Sequence, residues 1–125
     1  MWLLRHPTIV RIMSVAMVKS RDKNLRRWIH NQHDLYFSNF HSRKAVMQAF
    51  TTSVSNDVSM FASALQRPLL LLVAEKDDIS DLRAQRQLAT KLAQSTLKTI
   101  PDVGHLVHYE AYEWAAREIR DFMRD

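Results

Sequence analysis

The chain has 125 residues, 46% of them apolar, with 18 Lys and Arg against 13 Asp and Glu for a net charge of +5. That length and apolar content suffice for one core, and the absence of cysteine excludes disulfide frameworks and thiolate metal sites. A single glycine excludes phosphate-binding loops, dinucleotide fingerprints and a G-x-S-x-G elbow, each of which needs glycine at fixed places.

The charge is uneven. Residues 1–67 carry ten Lys and Arg against three acids, giving +7, whereas residues 68–125 carry eight against ten, giving −2. A basic half joined to a slightly acidic half points to two units in different surroundings. The basic residues are scattered, with only two short pairs, Arg26–Arg27 and Arg43–Lys44, so nucleic acid is a poor partner for this surface.

Residues 1–20 are apolar, but Arg5, Arg11 and Lys19 interrupt them. Arg11 breaks the only stretch that could form an apolar core, so neither a membrane span nor an ordinary signal peptide fits. With no cysteine, a cytoplasmic location is expected. The spacing predicts an amphipathic helix from about Thr8 to Lys19, with Ile9, Ile12, Met13, Ala16 and Met17 near one buried face. Further helical stripes follow: Leu25, Trp28 and Ile29; then Leu35, Tyr36, Phe37 and Phe40; then Ala45, Val46, Ala49 and Phe50. Thr51 to Asp57 reads as a polar turn, with Asp57 capping a last helix to Gln66. His30, His33, His41 and Asp34 invite a metal site, since residues three apart share a helix face. No further ligands stand at a known spacing, and histidines satisfied by hydrogen bonds or solvent are the better expectation. No metal or other cofactor is expected.

The rest is organised around Arg67 to Asp78, RPLLLLVAEKDD. Five consecutive aliphatic residues, Leu69 to Val73, leave no polar face, as in a parallel strand buried on both sides. Pro68 sets the entry. The charges that close the run sit where open α/β sheets place their ligands. Ser80 or Asp81 then caps a helix to about Gln94, Thr96 to Ile100 alternates as a second strand, and a helix runs from about Ala111 to Met123. Strand, helix, strand, helix with short connections predicts a βαβα unit with parallel strands.

Residues 67–125 resemble the C-terminal end of the α/β-hydrolase fold. In that family a buried strand enters a Gly-x-x-Asp turn that supplies the acid of a catalytic triad. A helix and the last strand follow, and then a Gly-His turn supplies the histidine. Here the turns read Ala74-Glu75-Lys76-Asp77 and Pro101-Asp102-Val103-Gly104-His105, with Ala74 in place of the usual glycine. The resemblance implies Asp77 as the acid, with Asp78 as the alternative, and His105 as the general base. Glu110 is expected to serve the start of the last helix instead, where the dipole favours an acid. By position, residues 1–66 resemble the helical cap of such enzymes, and residues 67–125 the end of the core.

The nucleophile is missing. In this fold it precedes the acid, on an elbow flanked by glycines, and the one glycine, Gly104, lies beyond Asp77. The resemblance therefore implies the C-terminal fragment or split part of a serine-type hydrolase, inactive alone, acting on an ester-like small molecule once completed. The alternatives are a non-catalytic protein-interaction module and a basic nucleic-acid-binding module. With a second strand on one side only, Leu69 to Val73 would leave an open edge, inviting a homo-oligomer or a partner chain.

Overall fold

A computed structural model describes residues 6–36 and 42–124; Phe37, Phe40 and His41 lie outside the described residues. Strands β1 (Leu69–Ala74) and β2 (Ser95–Ile100) pair in parallel from Leu69 opposite Ser95 to Ala74 opposite Ile100. The helix Leu82–Lys91 crosses between them, capped by Asp81, whose carboxylate accepts the Arg83 N–H. A single turn, Val107–Glu110, and the helix Tyr112–Phe122 follow and lie against β1. This is the βαβα order read from the sequence. The backbone ladder continues past the strand ends, with the Glu75 N–H on the Ile100 carbonyl at 3.0 Å and the Lys76 N–H on the Val103 carbonyl at 3.1 Å.

Only Val73 and Ala74 of β1 are fully buried; Leu69 to Leu72 remain half-buried. Among the described residues, β1 has a strand neighbour on one side only. The aliphatic run suits burial on both sides, and the open edge withholds part of it. Near that edge Ile119 is 48% exposed, although Ala115, one turn earlier on the same helix, is buried.

Before the sheet, α1 (Pro7–Met17) and α2 (Lys23–Tyr36) pack together. The Asp22 carboxylate caps α2 by accepting the Asn24 and Leu25 N–H groups at 2.7 and 3.2 Å. The buried face of α1 is not the one expected. Val10, Ser14 and Val18 are buried, whereas Ile12 and Met13 are 58% and 44% exposed. The reason is a polar contact: Ser14 Oγ meets His30 Nδ1 at 2.6 Å, and this buried pair turns α1 by its serine. Burial, and then the nearby Arg11 and Arg26 cations, hold His30 below its usual titration range. Burial likewise lowers His33, with the neighbouring His30 and His108 adding to it.

α3 (Arg43–Ser55), capped by Ser42, runs through the stretch expected as a turn. Within it the Ser53 Oγ donates to the Phe50 carbonyl at 2.9 Å. Asp57 then caps a tight 3-10 helix, Val58–Ala64, shorter than the helix to Gln66 that the sequence suggested.

A buried cluster and a shared carboxylate help to join the α1–α2 pair to the loops of the sheet. Val18, Ile29 and Leu106 form a buried cluster, with Met17, Leu25 and Tyr109 packed against it. Beside it the Glu110 carboxylate accepts the backbone N–H groups of Lys19 at 2.9 Å, of Ser20, and of Gly104 at 3.2 Å. Glu110 therefore ties three loop amides together and does not serve the last helix, whose start receives no side-chain cap. The capture follows directly on α1: the Val18 N–H still donates to the Ser14 carbonyl, and the next two amides turn away to the carboxylate. Gly104 has to be glycine: a Cβ there would lie 2.3 Å from the Met17 carbonyl oxygen and 2.7 Å from Lys19 Cγ.

Glu110→Ala strands three amides, and loss of hydrogen bonds to a charged group is expected to cost about 2–3 kcal/mol. Gly104→Ala is expected to be destabilising through its clash with backbone. Urea titrations of both variants check this; midpoints equal to that of the parent chain would refute the tie.

Candidate active site

The extended ladder brings the turn after β1 and the loop after β2 out side by side. In the first, the Asp77 carboxylate accepts the Ile79 and Ser80 N–H groups at 2.8 and 2.9 Å, closing an Asx-type turn that fixes the side chain. Ala74, the last residue of β1, is 1% exposed, so its methyl group is packed. In the second, Asp102 takes a left-handed conformation (φ 61°) after Pro101 and pairs with Lys76 of the first turn. That hydrogen bond and charge hold the Asp102 carboxyl below its usual range.

These turns set His105 against Asp77. The imidazole Nδ1 lies 3.0 Å from Asp77 Oδ2 and 3.1 Å from Oδ1. The Asp77 side chain is only 9% exposed and that of His105 34% exposed. Burial alone would push the Asp77 carboxyl up, but the Ser80 N–H, His105 and the Ile79 N–H outweigh it, and the net shift is downward. A carboxylate that stays ionised accepts a hydrogen bond from Nδ1–H and leaves the lone pair on Nε2, the arrangement a general base requires. Asp78 is directed elsewhere: its carboxylate pairs with Lys19, and it is 74% exposed.

The remaining candidates are spread out. His30 and His33 are buried on α2, away from this pair, and among the described residues no three His, Asp or Glu side chains are grouped to hold a metal. His108 packs beside Tyr109, ring centroids 4.4 Å apart. Arg26 and Arg27 lie on α2, whereas Arg43 and Lys44 begin α3.

His105 borders two clefts. One, of about 370 Å³, runs along β1 and includes Leu72, Asp77, Val107 and Ile119 in its lining. The other, of about 160 Å³, lies between α1 and the Asp77 turn and is lined by Met13, Ala16, Met17, Lys19, Asp78 and Ile79 besides His105. Met13, Ala16 and Ile79 at this site escaped the sequence reading. The only signal was that α1 has more apolar residues than one face can bury.

No family's sequence profile matches the chain, and no curated protein matches it. Solved structures do. A thermophilic esterase from Thermogutta terrifontis superposes with a TM-score of 0.74 at 24% identity, over 97% of this chain and 46% of the esterase. An N-acyl homoserine lactone degrading enzyme gives 0.71 at 24% identity, over 94% and 47%. A serine hydrolase involved in carbazole degradation gives 0.70 at 16% identity, over 96% and 48%. The chain has part of the α/β-hydrolase fold. It spans under half the length of each of these hydrolase-fold enzymes. Among the described residues, no helix is long and apolar enough to cross a membrane.

Because Asp77 titrates below its unfolded value of about 3.9, the unfolded chain binds more protons between the folded and unfolded values. The resulting stability is fully present above that unfolded value and is lost as the pH falls through the folded one. Asp77→Asn removes this contribution, so its urea midpoint should fall less than the parent's between about pH 5 and about pH 2. Parallel curves for the two proteins would contradict the assignment.

Proposed function

We propose that this chain supplies the acid, Asp77, and the general base, His105, of a serine-type hydrolase acting on esters, and that it is inactive alone. The observation that carries the reading is the contact between the two side chains at the carboxyl ends of adjacent parallel strands. In that role Nε2 of His105 takes the hydroxyl proton of a serine as its oxygen attacks the ester carbonyl. The tetrahedral intermediate collapses as His105 returns the proton to the leaving alkoxide. Water then hydrolyses the acyl-serine, His105 again taking and returning the proton. Asp77 holds the tautomer and stabilises the imidazolium without itself being protonated.

No serine of this chain has the glycine-flanked elbow that such a nucleophile needs, so the serine comes from a separate part of the fold. Support for this comes from the open edge of β1 and the cleft of about 370 Å³ beside it, where a preceding strand and helix would pack. Residues 67–125 form the end of the core in this reading, and residues 1–66 are the cap. The esterases and hydrolases of similar fold supply the reaction class.

The pure chain is expected to leave p-nitrophenyl acetate unhydrolysed and to take no label from a fluorophosphonate. Mixed with the portion of the Thermogutta terrifontis esterase that it does not cover, it should give turnover. Asp77→Asn or His105→Ala should then lower kcat by about 10⁴-fold. Turnover by the chain alone, abolished by His105→Ala, would overturn the claim that the nucleophile lies elsewhere.

A further inference from the structure

The smaller cleft beside His105 is built differently from the edge of β1. It is a half-open cleft between α1 and the Asp77 turn, and its surface is almost wholly apolar. The two charged residues in its lining, Lys19 and Asp78, neutralise each other in an ion pair. That leaves His105 as the polar group facing a ligand there. Met13 and Ile79, 44% and 57% exposed, leave apolar surface uncovered at the cleft. Its position does not depend on α1 alone, because Glu110 fixes the segment after α1 to the loop that carries His105.

We propose that this cleft binds the leaving alcohol of the ester substrate, an unbranched or aromatic group of up to about six carbons. This rests on the reading of Asp77 and His105 given above. The volume of about 160 Å³ sets the size limit; an apolar cavity of about 150 Å³ in another protein stays dry and takes up benzene. The polarity sets the class: a charged or multiply hydroxylated group would lose its hydration with one imidazole to replace it. The chemistry sets which half of the ester enters. When the intermediate collapses, His105 delivers its proton to the leaving oxygen, so the carbons attached to that oxygen begin within hydrogen-bond reach of the imidazole. The acyl carbon stays on the nucleophile. Ala16 and Ile79 are the specificity-determining residues, one setting the floor of the cleft on α1 and the other its wall on the turn.

The test uses the chain with ¹³C-labelled methionine methyl groups and straight-chain alcohols from ethanol to 1-octanol. Met13 and Met17 resonances are expected to shift saturably while those of Met47 and Met123 stay in place. The dissociation constant should tighten by about fourfold per methylene up to about six carbons and then level off. Ala16→Leu should abolish the shifts, and Ile79→Ala should move the plateau to longer alcohols, which a merely unfolded variant would not do. Absence of saturation at Met13 and Met17, or equal movement of Met47, overturns the site. In the reconstituted enzyme, kcat/KM for alkyl acetates should rise with alkyl length to the same limit; a limit set by acyl length instead overturns the assignment to the alcohol. The two proposals fail separately: saturable binding to the chain, with turnover of the reconstituted enzyme unchanged by Asp77→Asn and His105→Ala, refutes the roles of Asp77 and His105, and turnover that those variants abolish, without such binding, refutes this one.

Discussion

The parallel ladder between β1 and β2 is the constraint on which the site depends. Two residues 28 apart in sequence meet because the ladder does not stop where the strands stop. Glu75 and Lys76 go on donating to Ile100 and Val103, and so the two loops leave the sheet together. The helix Leu82–Lys91 between the strands is what allows parallel pairing over so short a stretch. Once the loops are paired, little freedom remains. Asp77 is fixed by two backbone amides and His105 by Asp77, so orienting the imidazole needs no further device.

The helices before the sheet depend on that loop in turn. Leu106, next to His105, completes the cluster with Val18 and Ile29, while Glu110 gathers amides from both sides of the same junction. One carboxylate and one small apolar cluster therefore carry much of the coupling between the α1–α2 pair and the site. The opposite side of the sheet is unfinished. Half-buried leucines on β1 and an exposed Ile119 are apolar surface of the kind that folded chains bury against another element. The same arrangement leaves the Asp77–His105 pair well formed while the proposed nucleophile is elsewhere.

Much of this was legible in the sequence, unevenly so. The unbroken run Leu69 to Val73, a cap at Ser80 or Asp81, and the alternation before Pro101 are local patterns with local causes, and the βαβα order followed from them. The separation of Asp77 and His105 by one helix and one strand was likewise countable. The face of α1 was not, because hydrophobicity placed Ile12 and Met13 inward, whereas the Ser14–His30 hydrogen bond, across 16 residues, turned them out. Glu110 was misjudged for the same kind of reason. Its partners Lys19 and Ser20 are some 90 residues away, and backbone amides leave no mark in a sequence. Thr51 to Asp57 looked like a turn because it is polar, but α3 runs through to Ser55, with the Ser53 hydroxyl bonded back to the Phe50 carbonyl.

The most direct measurement of the central claim is the tautomer of His105. In ¹⁵N-labelled chain at a pH where the imidazole is neutral, long-range ¹H–¹⁵N correlation distinguishes a protonated nitrogen from a bare one. A proton on Nδ1 held by Asp77, with Nε2 bare, is the state the account predicts, and Asp77→Asn should abolish it. A neutral His105 carrying its proton on Nε2, unchanged by Asp77→Asn, would contradict it.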